Sequence, residues 1–465
     1  MEGKIMFVGR EKELKIIDTF LSNNHGALLV YGLRRVGKTT LIEKAVEDSK
    51  RPNINFVCLK ADETTNVSLF VDLLKTQIGF VDAKFDSFYS VFIELDKKYP
   101  GYVVVIDEYS LMKQYYFQSK KRGYGELAEK LDSEFQKIVD GCTKNINLIM
   151  SGSSIHIMKQ LTEHKSPLYG RFVFEIPLMQ FNYLDARKML PNLNDKDLIS
   201  FYSVFGGSPF VLERVNDRKS LKDNICELIL DEMGQLRSHL KNNVINELEN
   251  DSDLHDILDV IKNGSKKYNE IEAKAHITTS GLLDKRLNKL IELDIIEAKY
   301  PIGKEGDRKK KYYQIKDNLL KFYYAYVFRQ DNRIKLLTPS RYYDLYIQPS
   351  INQFISRRFE NIVRDYFTVA ISKGMYEDII DIGSYFTSNA EFDCVLKKSN
   401  NKYSVFEVKY FEKPLSIAKQ KEEIEQVKAI QGLEVGEIGF VCSSGFERKL
   451  DGVTYLDLKD ILFSN

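Results

Sequence analysis

Short, uninterrupted apolar runs alternate with amphipathic segments in the first third of the chain. The runs are residues 26–31, 102–106 and 146–150, and all are rich in Val, Ile or Leu. A strand that is apolar throughout is typical of a parallel sheet covered on both faces. Alternation of such strands with helical patterns predicts an α/β core built on a parallel sheet.

The pattern changes in the middle of the chain. Residues 181–249 are helical and polar-faced without a strand signal, which predicts a small helical lid. Residues 254–293 then contain three helical stretches. Residues 295–300 and 311–315 alternate like two strands around a glycine-containing tip. Three helices and a hairpin predict a winged helix-turn-helix domain.

Two features of this winged-helix segment bear on nucleic-acid binding. Thr278, Thr279 and Ser280 would cap its recognition helix. The hairpin tip is basic, with Lys299, Lys304, Arg308, Lys309, Lys310 and Lys311 against only Glu305 and Asp307. Such a tip can contact DNA phosphates, and a solvated hairpin in a protein-binding domain explains it equally well. Both interpretations stay open.

The last third combines an amphipathic helix with a hairpin that carries acids. The helix covers residues 353–370, and Glu360 lies at the flank of its apolar stripe. Two strand signals surround a polar turn. If the turn is centred on Asn400, Asp393 lies directly opposite Glu407, because both are seven residues from it.

Carboxylates opposite each other in a hairpin repel, because their Cβ atoms lie about 5 Å apart. Lys409, on the same face as Glu407, can offset the repulsion as a structural ion pair. Alternatively, a divalent cation lies between the acids. The D…E-x-K pattern of Asp393, Glu407 and Lys409 is typical of nucleases in which the acids bind magnesium and the lysine helps to activate water. A fold retained for another role would keep the same hairpin.

Composition narrows the class of protein. The 465 residues predict two to four domains, which we place at 1–178, 179–252, 253–330 and 331–465. A net charge of +1 means that any nucleic-acid surface must be a local patch. The five cysteines are far apart, which argues against zinc or disulfides. No apolar run approaches the roughly 18 residues of a membrane span, and no signal peptide is recognised, so we expect a cytoplasmic protein with no membrane partner.

The first apolar run leads into a G-x-x-x-x-G-K-T motif. Gly32 and Gly37 let backbone N–H groups wrap around phosphate oxygens, and the helix beginning near Lys38 adds its positive N-terminal end. Lys38 would neutralise the outer phosphates, and the Thr39 hydroxyl would ligate magnesium. A strand–turn–helix crossover with a surface lysine is the alternative, but the strand and helix stand where a nucleotide loop requires them.

Polar residues also follow the next two apolar runs, at the carboxyl ends where parallel sheets bind ligands. Asp107 would hold the magnesium shell, and Glu108 would polarise the attacking water. Ser151 begins an S-G-S-S turn that either senses the γ-phosphate or is only structural. Arg171 is a candidate arginine finger or phosphate sensor.

In this order the motifs V-G-R, G-L-R-R-V-G-K-T, V-V-V-I-D-E, S-G-S-S and P-L-Y-G-R resemble those of archaeal-type AAA+ ATPases of the signal-transduction (STAND-like) branch. F-G-G-S-P resembles the motif of their helical lid. The resemblance covers roughly the first half of the chain. It implies that Arg171 lies near the γ-phosphate, and that an N-terminal segment lies near the adenine. The implied nucleotide contacts are Val8, Gly9, Arg10, Gly32, Arg35, Val36, Gly37, Lys38, Thr39, Thr40, Asp107 and Ser151.

From Tyr342 to its end, the chain resembles the nuclease-like domain of unknown function that accompanies such ATPases. The resemblance implies metal ligands at three acids and a catalytic lysine, on the positions of the PD-(D/E)XK motif. These positions are Glu360, Asp393, Glu407 and Lys409. Phe392 stands where the motif name has proline, a departure common in that superfamily.

These patterns together predict an α/β protein with a P-loop parallel-sheet ATPase core, a helical lid, a winged helix-turn-helix and a C-terminal α/β restriction-endonuclease-like domain. We expect ATP and Mg²⁺ as cofactors. ATP hydrolysis would be coupled to DNA binding and to metal-dependent DNA cleavage, with a protein partner or a second copy as a further partner. The alternative is a non-cleaving, ATP-gated regulatory or scaffold protein.

Overall fold

The computed structural model describes residues 7–23, 25–80, 85–118, 124–241, 248, 251–277, 279, 281–304, 306–307, 310–386, 391–430 and 432–462. The chain divides into two compact units, Met1–Gln180 and Phe181–Asn465. Five predicted residues of the winged-helix segment lie outside the described residues: Thr278, Ser280, Glu305, Arg308 and Lys309. No helix among the described residues is both long enough and apolar enough to cross a bilayer.

The first unit is built on a five-stranded parallel sheet, in the order β2-β3-β4-β1-β5. The strands are β1 Gly26–Tyr31, β2 Asn53–Val57, β3 Val103–Asp107, β4 Asn147–Gly152 and β5 Phe174–Pro177. The helices are α1 Glu11–Ser22, α2 Lys38–Ser49, α3 Glu63–Ile78, α4 Phe88–Lys98, α5 Tyr109–Gln118, α6 Tyr124–Gly141 and α7 Ile155–Gln160. The α/β core predicted from the apolar runs is therefore confirmed.

Both faces of this sheet are covered, which explains why its strands are apolar throughout. On one face, Leu28 and Val30 of β1 pack with residues of α1 and α2, such as Phe20 and Leu41. On the other face, the alternate residues of the same strands pack with α3–α6. The carboxyl ends of β1, β3 and β4 therefore lie together at one edge.

The second unit begins with helices, as the polar-faced pattern predicted. They are α8 Tyr183–Met189, α9 Asp195–Phe205, α10 Pro209–Leu212, α11 Leu221–Ile225 and α12 Gln235–Leu240, with a π-helical turn at Cys226–Leu230. Three further helices and three short strands follow. They are α13 Ser252–Ile261, β6 Lys266–Lys267, α14 Tyr268–Ala275, α15 Leu282–Glu292, β7 Ile296–Lys299 and β8 Tyr312–Ile315. These strands form an antiparallel sheet in the order β6-β8-β7.

The rest of this unit surrounds a mixed sheet in the order β13-β12-β11-β10-β9. Its helices are α16 Asn318–Tyr326, α17 Asp331–Leu336, α18 Pro339–Tyr342, α19 Ile351–Ser372, α20 Ile417–Lys428 and α21 Leu458–Ile461, with a π-helical turn at Tyr343–Ile347. Its strands are β9 Ile379–Phe386, β10 Glu391–Lys398, β11 Tyr403–Lys409, β12 Val435–Cys442 and β13 Thr454–Leu456. Strands β9–β11 pair antiparallel, and β11–β13 pair parallel.

The hairpin between β7 and β8 packs on this mixed sheet. Ile302 is 3% exposed and lies in a cluster with Phe392, Val395 and Val405. Its backbone N–H donates to the Ser384 carbonyl at 2.9 Å. This part of the basic hairpin is therefore held against edge strand β9 rather than projecting into solvent.

Candidate nucleotide site and acid cluster

The loop between β1 and α2 has the backbone of a phosphate-binding loop. Gly37 precedes α2 with a φ of 91°, and Arg35 has a φ of 67°, so both lie in the left-handed region. A Cβ on Gly32 would lie 2.1 Å from the Leu178 carbonyl oxygen. Glycine is therefore required at position 32 by a close approach and is favoured at position 37 by the backbone angle.

Lys38 is buried at the start of α2, and its ammonium group stays at the loop. Its Nζ donates to the carbonyls of Gly32 at 2.9 Å and Leu33 at 3.0 Å. Burial lowers the pKa of Lys38, and the charges of Glu108 and Asp107 oppose that effect. The cation therefore lies near both acids and the backbone of the loop.

Asp107, the last residue of β3, is contacted by residues from the start of α2 and the end of β4. The Thr39 hydroxyl donates to its Oδ2 at 2.8 Å, and the buried Ser151 hydroxyl donates to its Oδ1. The Glu108 backbone N–H also donates to Oδ1, at 2.9 Å. A hydroxyl and a carboxylate held in this way are oxygen ligands of the kind that Mg²⁺ takes.

Glu108 is fixed by a residue whose role the sequence analysis left open. Its φ of 55° is left-handed, and its Oε2 accepts from the Ser153 hydroxyl at 2.7 Å and the Ser153 N–H at 3.1 Å. Ser153 belongs to the serine-rich turn after β4. Its distance in sequence from Glu108 left no local signal for the contact.

Arg10 joins the N-terminal V-G-R segment to the loop. Its Nη2 donates to the carbonyls of Val36 at 3.1 Å and Met179 at 2.5 Å. Gly9 and Arg10 are both left-handed, with φ of 69° and 67°. The segment that contains Val8 is thus brought beside the loop, while Thr40 and Arg35 are exposed at the loop and the start of α2.

The sequence left open whether Arg171 acts on the nucleotide of its own chain or on that of a neighbour, and in its own chain Arg171 lies away from this site. Its Nε lies 2.9 Å from Asp140 Oδ1. Two residues later, the Val173 N–H bonds to the Ala27 carbonyl at the start of β1. Strand β1 therefore separates Arg171 from the loop that follows Tyr31, because parallel strands begin and end at opposite edges.

In the second unit, the hairpin register follows the predicted turn. Cys394 pairs with Phe406, and continuing the ladder places Asp393 opposite Glu407. The pairing opens there, because Asp393 Oδ2 accepts from the Val408 N–H at 3.2 Å. Arg364 of α19 donates to the Asp393 backbone carbonyl.

Glu407 is buried, and its two oxygens differ. Oε2 accepts from Lys409 Nζ at 2.8 Å, while Oε1 is buried without a hydrogen-bond partner among the described residues. Burial, followed by the charge of Asp393, raises the pKa of Glu407 to about 7. Burial and the same charge raise the pKa of Glu360 to about 8. Asp393 is therefore close enough to both Glu360 and Glu407 to repel each of them.

Lys409 is shared with an acid that the sequence analysis missed. Its Nζ lies 3.1 Å from Oε1 of Glu423, a buried residue of α20. Glu423 belongs to an acidic helical stretch that resembles a solvated face, so its burial was not predicted. No three His, Cys, Asp or Glu side chains in the described ranges are arranged to hold a metal ion together.

The parallel sheet, the phosphate loop and the Thr39–Asp107 contact define the class of the first unit, a P-loop ATPase core. Residues 7–215 match the family described as an ATPase domain predominantly from Archaea. Residues 323–427 match a second family, described as archaeal and bacterial proteins of unknown function. The ATP-hydrolysing class predicted from the loop and the acids is therefore supported.

Two relatives come from Methanocaldococcus jannaschii. An uncharacterized protein is 28% identical over 418 residues, which are 87% of this chain and 88% of the relative. An uncharacterized ATP-binding protein is 41% identical over 59 residues, which are 12% of this chain and all of the relative.

Among solved structures, a Walker-type ATPase of Pyrococcus abyssi is similar, with a TM-score of 0.49 and 19% identity. The match covers 68% of this chain and 96% of that chain. The ORC2 protein of Aeropyrum pernix matches with a TM-score of 0.46 and 13% identity, over 72% of this chain and 97% of that chain.

Proposed function

We propose that the first unit binds ATP with Mg²⁺ and hydrolyses it at the β1–α2 loop. The observation that carries this proposal is the contact between Thr39 and buried Asp107, beside the loop that holds Lys38. Thr39 and Asp107 would hold the metal, which neutralises phosphate charge. Lys38 binds the outer phosphates, and Glu108 orients the attacking water.

A Lys38→Ala variant tests this site. We expect it to lose ATP turnover and most ATP affinity, because a buried cation that neutralises the phosphates is removed. Calorimetry and a phosphate-release assay on the full chain measure the two quantities. Lys44→Ala is the matched control, since Lys44 lies on the same helix and forms a surface ion pair with Asp48. Normal turnover in Lys38→Ala would contradict the proposal.

We further propose that the α13–β8 segment is a winged helix, and that the mixed sheet carries a metal-dependent nuclease site coupled to nucleotide state. Asp393 and Glu407, with Glu360, would hold a divalent cation, and Lys409 would assist the attacking water. The buried, unpartnered Glu407 Oε1 supports this, because a buried carboxylate oxygen without a donor is costly. DNA, contacted by the basic hairpin, is the proposed substrate.

The second candidate function is a non-cleaving regulatory or scaffold protein. It is favoured by the closed Lys409–Glu407 ion pair, which offsets the acid repulsion without a metal. Titration with Mn²⁺, together with a DNA cleavage assay, separates the two. A nuclease requires both metal binding and cleavage to be lost in Asp393→Asn. If wild-type protein shows neither, the C-terminal fold is an interaction module.

For Arg171 we propose action on the nucleotide of a neighbouring chain. The supporting observation is its position at the edge of the sheet opposite its own loop. Because Arg171 lies away from its own loop, the nucleotide that it would reach is one that another copy presents. This makes a second copy of the chain a partner.

A further inference from the structure

We propose that Glu423 is a positioning residue that holds Lys409 when Glu407 engages a cation. The inference rests on the proposed metal site of the mixed sheet. The observation behind it is that one ammonium group is shared by two buried carboxylates. Lys409 Nζ lies 2.8 Å from Glu407 Oε2 and 3.1 Å from Glu423 Oε1.

Glu423 is held on a rigid element. Helix α20 is capped by Ser416, whose hydroxyl accepts from the Lys419 N–H at 3.3 Å. One turn before Glu423, fully buried Gln420 donates to the carbonyls of Leu415 and Arg448, both at 3.0 Å. Its carbonyl also accepts from the Tyr455 hydroxyl at 2.7 Å. A fully satisfied buried amide fixes the helix and therefore the carboxylate next to it.

The strand side of the pair is equally well defined. Phe406 and Val408 alternate with Glu407 and Lys409, and they pack toward α19. The two charged side chains therefore lie on the opposite face, the face that α20 covers. Lys409 is thus placed between its own strand and α20.

The charges favour two arrangements of Lys409. With Glu407 available, the ammonium bonds both carboxylates, and Lys419 adds a second cation 3.3 Å from Glu423. Glu407 Oε1 has no partner among the described residues, so Glu407 still has an oxygen to offer to a cation. When a bound cation takes both carboxylate oxygens of Glu407, Lys409 keeps an anionic partner in Glu423. The lysine then stays at the site instead of competing for Glu407.

Removing the charge of Glu423 tests the proposal. In Glu423→Gln, Glu407 is the one carboxylate among the described residues that still forms an ion pair with Lys409, so the ammonium competes with the cation for it. We expect Mn²⁺ affinity to fall by about 10- to 100-fold, as for other residues that orient metal ligands. Calorimetry on the full chain measures the Mn²⁺ affinity. The part of the binding heat that is lost in Asp393→Asn is assigned to this site.

The background variant Lys409→Met distinguishes positioning from a structural role. With the ammonium removed, we expect Mn²⁺ to bind at least as tightly as in wild type, and Glu423→Gln to have no further effect. Glu422→Gln is the matched control, because Glu422 is an exposed neighbour on the same helix that forms an ion pair with Lys419 and not with Lys409. Circular dichroism confirms the fold of each variant. If Glu423→Gln does not fold, the Mn²⁺ affinity of Lys409→Met relative to that of wild type is the remaining test of the inference.

Three outcomes would overturn the inference. The first is an unchanged Mn²⁺ affinity in folded Glu423→Gln. The second is that Glu423→Gln lowers the Mn²⁺ affinity equally in the wild-type and Lys409→Met backgrounds. Weaker binding in Lys409→Met also contradicts it. Wild-type protein that binds no Mn²⁺ at Asp393 overturns the proposed metal site as well, whereas the other results leave that site in place.

Discussion

Glu108 shows how a single residue combines a cost with a function. Its left-handed backbone is unfavourable for a residue with a side chain, and such strain persists where the surroundings hold it. Here the holding group is Ser153, which bonds one carboxylate oxygen through both its hydroxyl and its N–H. The carboxylate proposed to orient water is thereby fixed beside Asp107.

Ser153→Ala tests this positioning. We expect kcat for ATP hydrolysis to fall about 10-fold, a fraction of what general-base positioning contributes, because the backbone N–H still holds Glu108. The KM for ATP should stay unchanged. Ser154→Ala is the control on the same turn, since the Ser154 side chain makes no capping hydrogen bond to α7. An unchanged kcat in Ser153→Ala would contradict the role.

At this scale, the sequence predicted the residues whose chemistry follows from a local motif. Lys38 and Thr39 follow β1 and Asp107 ends β3, and the carboxyl ends of parallel strands lie at the same edge of the sheet. Ser153 and Glu423 depend on contacts between distant segments, which no spacing reveals. For Arg171 the sequence left open which chain's nucleotide it would reach, because a glycine–arginine turn does not indicate at which edge of the sheet it lies.

At the scale of elements, strands buried on both faces and the β10–β11 register were predictable. An uninterrupted apolar run and a symmetric polar turn each determine their own geometry. Strands β9, β12 and β13 were not predicted, since their burial depends on partners elsewhere in the chain. The basic hairpin was predicted either to contact DNA or to be solvated, and the burial of its Ile302 against the mixed sheet was not predicted.

Ile302→Ala tests whether the hairpin contributes to the stability of the second unit. We expect a loss of about 2–5 kcal/mol in the free energy of unfolding, because a buried isoleucine is truncated without a side chain to refill the space. Denaturant titration measures it. Ile380→Ala on β9 should cost less than about 0.5 kcal/mol, since Ile380 is 60% exposed. Equal effects of the two changes would show that the hairpin packing is not stabilising.

At the scale of the whole molecule, the proposed function includes a second copy of the chain. The nucleotide site contains the backbone of the loop, its lysine and the two acids. Among the described residues, Arg171 does not lie at the edge of the sheet where this site is. Charge developing on the transferred phosphoryl group is commonly stabilised by an arginine supplied in trans. An assembly of copies would therefore complete the site.

Arg171→Ala should lower kcat by about 10³-fold or more if the arginine acts on a neighbouring chain. Asp140→Asn is the control, because it breaks the same exposed ion pair and leaves the arginine; its effect on stability should be at most about 1 kcal/mol.

Mixing Arg171→Ala with Lys38→Ala should restore turnover that neither variant has alone. In the mixture, the intact loop of one chain meets the intact arginine of the other. Phosphate release, measured against the mixing ratio, is the readout. A mixture as inactive as its components, or full activity in Arg171→Ala alone, would exclude action between chains.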